Sequence, residues 1–193
     1  MAKLYYVYGP MNVSKSASLL MKAHSFENNN IPFICIKSSI DDRDEGIIKS
    51  RVGIERECLS IDIKDDIYRI IKVYNNPNKP LKWILVDESQ FLTSEQVDQL
   101  AKIVDELNIN VMCYGLRTDF KTKLFDGSRR LFELADNIEE MKVSCKCGRK
   151  AIINARVDDN GDVVNEGEQI MTGGNERYVT MCRKCYSELI NKK

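Results

Sequence analysis

KLYYVYGPMNVSKS, residues 3–16, joins a short apolar and aromatic run to a Gly9-Pro10 turn and then to the pair Lys15-Ser16. A run of that length ending at Gly-Pro reads as a buried strand. Beyond it, Leu19, Leu20, Ala23 and Phe26 recur at helical spacing, and Asn28 to Asn30 stop the helix. IPFICIK, residues 31–37, then supplies a second strand. Strand, glycine turn, helix and strand in succession form a βαβ unit, the building block of a parallel sheet flanked by helices.

The turn itself carries chemistry. GPMNVSKS fits the phosphate-loop pattern G-x-x-x-x-G-K-[ST] at every fixed place but the sixth, where Ser14 stands for glycine. In such a loop, backbone N–H groups and the positive end of the following helix surround the phosphates. Gly9, Pro10, Met11, Asn12, Val13, Ser14, Lys15 and Ser16 are therefore the expected ATP site, with Lys15 on the β and γ phosphates and the Ser16 hydroxyl on Mg²⁺. Glycine at the sixth place lets backbone approach phosphate in dihedrals that side chains resist, so Ser14 raises a second reading: a nucleotide-binding regulator with impaired catalysis.

WILVDE, residues 83–88, delivers Asp87 and Glu88 to the C-terminal end of another strand, where open parallel sheets bind ligands. By itself an acidic pair after a strand is a solvated turn or a helix cap. Beside a phosphate loop, Asp87 is placed to hold magnesium, and Glu88 to accept a proton from an attacking hydroxyl.

The alternation continues along the chain. Helices are expected over 64–75, over 94–108 with Ser94 as cap, and over 127–136, with a strand over 110–116. Residues 38–57 are charged and lack a steady period, which reads as a loop with a partly helical stretch at 48–54. Beyond about residue 141 the segments shorten to KVSC, AIINARV and YVTMC, with glycine-bearing turns between them. The expected fold is thus α/β, a P-loop NTPase-like parallel sheet flanked by helices over residues 1–140. A small zinc-ribbon-like domain follows over 141–193.

Seven cysteines are an odd number for a disulfide set, and four of them fall in two close pairs. Cys145 and Cys147 are separated from Cys182 and Cys185 by 34 residues, and four thiolates satisfy a tetrahedral Zn²⁺ that a domain this small needs in order to fold. Cys35, Cys58 and Cys113 sit in apolar stretches as small core residues, and His24 on its helix is not a ligand. The 29 basic and 29 acidic residues cancel, and the C-terminal module carries the acidic run DDNGDVVNEGE, so no nucleic-acid partner is expected. The short N-terminal apolar run lacks the features of a signal peptide, and no segment reaches the roughly 18 apolar residues of a membrane span. A cytoplasmic protein without a membrane partner is expected.

GPMNVSKS, VDESQF, YGLRTDF with LFDGS, the cysteine pairs, and GGNERYVTMCRKCY occur in the order in which they occur in the thymidine kinase family, in the bacterial type shared with the cytosolic animal enzyme. The chain resembles that family almost end to end. The resemblance implies transfer of the γ-phosphate of ATP to the 5′-hydroxyl of thymidine, a P-loop domain with a zinc-bearing domain, and a homotetramer. Position by position, it implies Glu88 as general base and Gln90 among the nucleotide and magnesium residues. Met11, Phe91, Leu116, Phe120 and Phe125 are implied as walls of the thymine pocket. It further implies Gln169, Ile170, Met171, Thr172 and Gly173 in a loop that folds over the base, with Tyr178 against the nucleoside, and more loosely Asp42 and Arg43 near the phosphates. A thymine ring needs an apolar slot with a few fixed hydrogen-bond partners, which backbone amides of a glycine-bearing loop can supply.

Overall fold

The computed structural model describes residues 1–41, 46–169 and 177–191. Its main sheet has six strands: β1 (Leu4–Tyr8), β2 (Phe33–Ser38), β5 (Leu59–Ile61), β6 (Trp83–Asp87), β7 (Asn110–Gly115) and β8 (Asn137–Glu140). They lie in the order β5-β2-β6-β7-β1-β8, every neighbouring pair parallel. Between β2 and β5 an antiparallel hairpin of β3 (Ile47–Lys49) and β4 (Glu55–Glu57) stands apart from the sheet.

Successive strand residues point to opposite faces, and here both faces are covered. Leu4, Tyr6, Ile36, Ile84, Val86, Val111 and Cys113 pack in one core with residues of α2 (Ile67–Tyr74), α3 (Ser94–Leu107) and α4 (Asp126–Leu134). The alternate residues Val7, Cys35, Leu85, Met112 and Tyr114 pack with Leu19, Leu20, Ala23 and Phe26 of α1 (Lys15–Asn28). The result is a three-layer α/β/α sandwich, as the βαβ reading requires. Registers Tyr8↔Gly115, Val86↔Cys113 and Lys37↔Asp87 bring the C-terminal ends of β1, β7, β6 and β2 to one edge.

Residues from Val143 onward have a core of their own, built from Cys145, Ala151, Ile153, Ala155, Val163, Met181 and Cys182. It holds two small antiparallel ladders, β9 (Val143–Ser144) with β10 (Lys150–Ala151) and β11 (Ile153–Arg156) with β12 (Tyr178–Met181), followed by α5 (Arg183–Ile190).

Several expectations are corrected. Residues 48–54 are not helical: Ile47–Lys49 is a strand whose backbone pairs antiparallel with Glu55–Glu57, and Ile48 is buried against the α1 side of the core. The cap of α3 is Thr93 rather than Ser94. Thr93 Oγ1 accepts from the Gln96 amide at 3.1 Å while Gln96 Oε1 accepts from the Thr93 amide at 3.2 Å, a reciprocal capping box. Strands β5 and β8 and helix α5 join the elements read from sequence. Cys35 and Cys113 are buried and Cys58 half-buried; His24 is exposed, its Nε2 accepting from Asn28 Nδ2 at 3.1 Å. Among the described residues no helix is long and apolar enough to cross a membrane.

Candidate active site

The turn after β1 wraps into α1 as a phosphate loop, with two residues in the left-handed region: Asn12 at φ 62° and Ser14 at φ 61°, ψ 34°. The serine thus adopts the backbone that the motif's glycine adopts without strain, and the first helical bond, Ser18 N–H to Ser14 C=O at 2.9 Å, still forms. Its side chain caps nothing. The backbone conformation costs on the order of 1–2 kcal/mol relative to glycine. Ser14→Gly is therefore expected to raise the unfolding midpoint by about 2–8 °C, read by thermal melts. A lowered midpoint would show that the serine side chain contributes something the glycine lacks.

Lys15 is 9% exposed, and its Nζ folds back onto the carbonyls of Pro10 at 2.8 Å and Gly9 at 3.4 Å. Burial lowers its pKa, opposed by the nearby charges of Glu88 and Asp87. Those three charges define one site. Asp87 is 4% exposed and receives a hydrogen bond from the Ser16 hydroxyl. Burial and then the charge of Glu88 push its carboxyl up to about 7. Ser16 in the first turn of α1 and Asp87 at the end of β6 thus bring a hydroxyl and a carboxylate together, oxygens of the kind a hard divalent cation takes.

Glu88 sits at φ 49°, ψ 39°, again left-handed, and leads into a single tight turn at Ser89–Phe91. Gln90, 2% exposed, joins Glu88 to β7: its Nε2 donates to Glu88 Oε2, and its Oε1 accepts from the Leu116 amide at 2.9 Å. That arrangement requires backbone to pass close by, since a Cβ on Gly115 would stand 2.5 Å from Ser89 Oγ and 3.0 Å from Gln90 Oε1. The Leu116 carbonyl is held as firmly, by Ser128 Oγ at 2.6 Å and Tyr6 OH at 2.8 Å.

Lys15, Ser16, Asp87, Glu88, Gln90 and Leu116 open on one cavity of about 620 Å³. Its walls include Met11, Asn12, Val13, Ser14, Lys15 and Ser16 of the loop, Asp87, Glu88 and Gln90, and the apolar Phe91, Leu116, Phe120 and Phe125, with Gln169 and Tyr178. The rings of Phe91 and Phe125 meet edge to face at 5.8 Å. Gly9 and Pro10 shape the loop through their carbonyls without lining the cavity. Asp42, Arg43, Ile170, Met171, Thr172 and Gly173 lie outside the described residues.

Sequence reasoning missed other residues at this cavity. Arg51, from the β3–β4 hairpin, donates through Nη1 to Asn12 Oδ1, and the hairpin is tied to α1 by Arg56, whose two Nη atoms reach the two oxygens of Glu27 at 2.8 and 2.6 Å. Lys37, buried in register with Asp87, also lines it. The C-terminal module reaches in as well. Asn154 Oδ1 accepts from the Met11 amide at 2.7 Å and Thr180 Oγ1 donates to the Met11 carbonyl at 3.3 Å, so the hairpin β11–β12 holds the phosphate loop from above. Asn154 and Arg156 are polar residues at alternate places in AIINARV, which put them on one strand face; that pattern was the available signal.

The sulfurs of Cys145, Cys147, Cys182 and Cys185 all lie within 4.8 Å of one another, Cys147 and Cys182 at 3.6 Å. Four sulfurs about 2.3 Å from a tetrahedral zinc stand roughly 3.8 Å apart, so the cluster fits that ion. Backbone N–H groups of Cys147 and Cys182 lower the pKa of the Cys145 thiol, whereas side-chain hydrogen bonds to Cys147 and the other thiols raise that of Cys185, so the thiols titrate as one cluster.

The sequence is similar to known proteins along nearly its whole length. A family model described as thymidine kinase matches residues 2–186. The chain is 45% identical over 193 residues to a thymidine kinase of Mannheimia succiniciproducens, covering 100% of this chain and 98% of the relative. It is 49% identical over 189 residues to one of Listeria monocytogenes, covering 97% of each. A third, from Zymomonas mobilis, is 43% identical over 192 residues, with 99% of each covered.

Proposed function

The chain belongs to the thymidine kinase family, and we propose that it transfers the γ-phosphoryl group of ATP to the 5′-hydroxyl of thymidine, yielding thymidine monophosphate and ADP. One observation carries this reading: Glu88, braced by Gln90, shares a single cavity with the phosphate loop and with the aromatic wall of Phe91, Phe120 and Phe125. A base, a phosphate cradle and a slot for a flat ring are what the reaction needs in one place.

The phosphates lie on the amides of residues 9–16 and on Lys15, which exchanges its contacts with Pro10 and Gly9 for the β and γ oxygens. Ser16 and Asp87 would hold a magnesium ion, which would supply positive charge beside the phosphate oxygens. Arg51 adds a second cation from the hairpin. The thymine ring enters the apolar slot, and its ribose presents the 5′-oxygen to Glu88. As that oxygen bonds to the γ-phosphorus and the bond to the β-bridging oxygen breaks, the Glu88 carboxylate takes the hydroxyl proton. The Gln90 amide, donating to Oε2, holds the Glu88 carboxylate in its place at the cavity wall.

No observation favours the impaired regulator. Its motive was Ser14, and Ser14 holds the backbone shape the loop needs. The test is a kinase assay with Mg²⁺ and ATP across the four deoxynucleosides: thymidine is phosphorylated far faster than deoxyadenosine or deoxyguanosine, whose larger bicyclic bases overfill the slot. Equal rates with all four would remove the thymine assignment. We further infer a cytoplasmic homotetramer of two-domain subunits, residues 1–140 and 141–193, on the strength of the resemblance; sedimentation velocity tests the assembly.

Asp87 gives the site a pH signature. The unfolded chain ionises it near ~4, the folded chain at about 7, so between those values the folded state carries the extra proton. Ligand-free stability attributable to Asp87 is complete below about pH 4 and is lost as pH rises toward 7. Melts recorded from pH 4 to 8 should show a flatter curve for Asp87→Asn, and the wild-type KM for magnesium–ATP should climb below pH 7 as the carboxylate protonates. Parallel curves for the two proteins would contradict this assignment.

A further inference from the structure

Arg156, a buried residue of the C-terminal module, touches the nucleoside wall through both its charge and its plane. It is 4% exposed at the end of β11. Its guanidinium carbon stands 3.7 Å from the centroid of the Phe120 ring and 5.4 Å from that of Tyr178. Nη2 and Nε both donate to the Tyr178 hydroxyl, at 2.7 and 3.1 Å, and Nη2 donates to the Glu168 carbonyl at 3.1 Å. Gly167, at φ 113°, crosses so near that a Cβ there would lie 3.2 Å from Nη1.

A buried cation is costly unless something compensates it. Among the described residues no carboxylate pairs with Arg156; a phenol oxygen, a main-chain carbonyl and two ring faces do so instead. Only a planar, delocalised cation can stack on Phe120 while donating in its own plane to Tyr178, so lysine is not equivalent here. Burying the group unpaired by a charge serves no evident purpose for the module's own core, which lies on the opposite face of β11 with Ile153 and Ala155. Its contacts run instead to two walls of the cavity and to the backbone at Gly167 and Glu168, just ahead of Gln169. Gln169 itself donates through Nε2 to Asp119 Oδ2 at 3.0 Å, and Tyr186 OH donates to the Phe120 carbonyl at 3.1 Å, so the same wall is gripped from both sides.

We propose that Arg156 is a positioning residue for the nucleoside: it sets the Phe120 and Tyr178 rings and the backbone at Gly167 and Glu168, so that thymidine affinity depends on it while phosphate transfer does not. This rests on the reading of the cavity as a nucleoside kinase site. Arg156 touches none of the phosphate-loop residues, and the separation of the two effects follows from that.

The test compares Arg156→Lys, Arg156→Gln and Tyr178→Phe with the wild-type enzyme by steady-state kinetics in both substrates, with zinc content and melting midpoint as controls. Loss of charge-assisted hydrogen bonds sets the scale at about tenfold or more. The expected result for both Arg156 variants is that rise in thymidine KM, with KM for ATP and kcat at saturating thymidine within about threefold of wild type and zinc content unchanged. Lysine does not rescue. Tyr178→Phe raises thymidine KM as well, and adding it to Arg156→Lys raises it little further, because the two act through one contact. An unchanged thymidine KM, rescue by lysine, or equal movement of both KM values with loss of zinc overturns the proposal. Should both Arg156 variants fail to fold, Tyr178→Phe decides, an unchanged thymidine KM being the negative result. A wild-type enzyme that forms no thymidine monophosphate would instead overturn the reading of the site as a kinase.

Discussion

Glu88→Gln lowers kcat by about 10²–10⁴-fold while leaving KM for thymidine and ATP within a few-fold. The substitution is close to isosteric, and the contact that orients the side chain survives it, because the new amide oxygen still accepts from Gln90 Nε2. The left-handed backbone at position 88 is no worse for glutamine than for glutamate. What disappears is the group proposed to accept the 5′-hydroxyl proton as the phosphoryl bond forms. Binding terms come from the phosphate loop and the aromatic wall, which the change does not touch. A variant with near-normal kcat would show that the proton leaves by another route, and a variant that binds neither substrate would show that Glu88 is structural.

Cys182→Ser, or chelation of the metal, abolishes activity while the six-stranded sheet stays folded. The C-terminal module has a core of about seven small and medium side chains, too little to fold unaided, whereas a four-thiolate zinc contributes on the order of 10–16 kcal/mol in comparable peptides. Without it the β11–β12 pair and α5 are lost, and four contacts go with them: Asn154 and Thr180 on Met11, and Arg156 and Tyr186 on Phe120. Those contacts serve the phosphate loop and the base slot alike. Both substrates should therefore bind more weakly, with zinc released in step with the loss of thymidine binding and most far-UV ellipticity retained. A zinc-free protein with wild-type kinetics would show that the module does not support the site.

The parallel sandwich was legible because its central strands are buried on both faces. KLYYVY, PFICIK, WILVD and NVMCYG are nearly continuous apolar runs, and the glycine turn and helical spacing between them leave little freedom of topology. Edge elements were not legible for the complementary reason. Strand β8 reads NIEE and the hairpin strand β4 reads ERE, sequences that solvent-facing edges tolerate but that no period of two in apolar residues would reveal. Helix α5 starts within the second cysteine pair, where the metal motif masks its helical spacing. At the site, the motif residues were legible because each motif is local in sequence. Arg51, Lys37, Asn154 and Arg156 were not, since each reaches the cavity from a separate element and only the folded chain brings them to Asn12, Asp87, Met11 and Phe120. Ser14 is the instructive case: read as a defect in the motif, it turns out to hold the glycine's conformation at an energetic cost.

The central claim is tested most directly by following the terminal phosphate of γ-labelled ATP in the presence of Mg²⁺ and thymidine, 3′-deoxythymidine or 5′-deoxythymidine. Label should appear in the monophosphate of thymidine and of the 3′-deoxy analogue, and the 5′-deoxy analogue should bind without accepting it. No label in thymidine, or label at its 3′ position, would contradict the account.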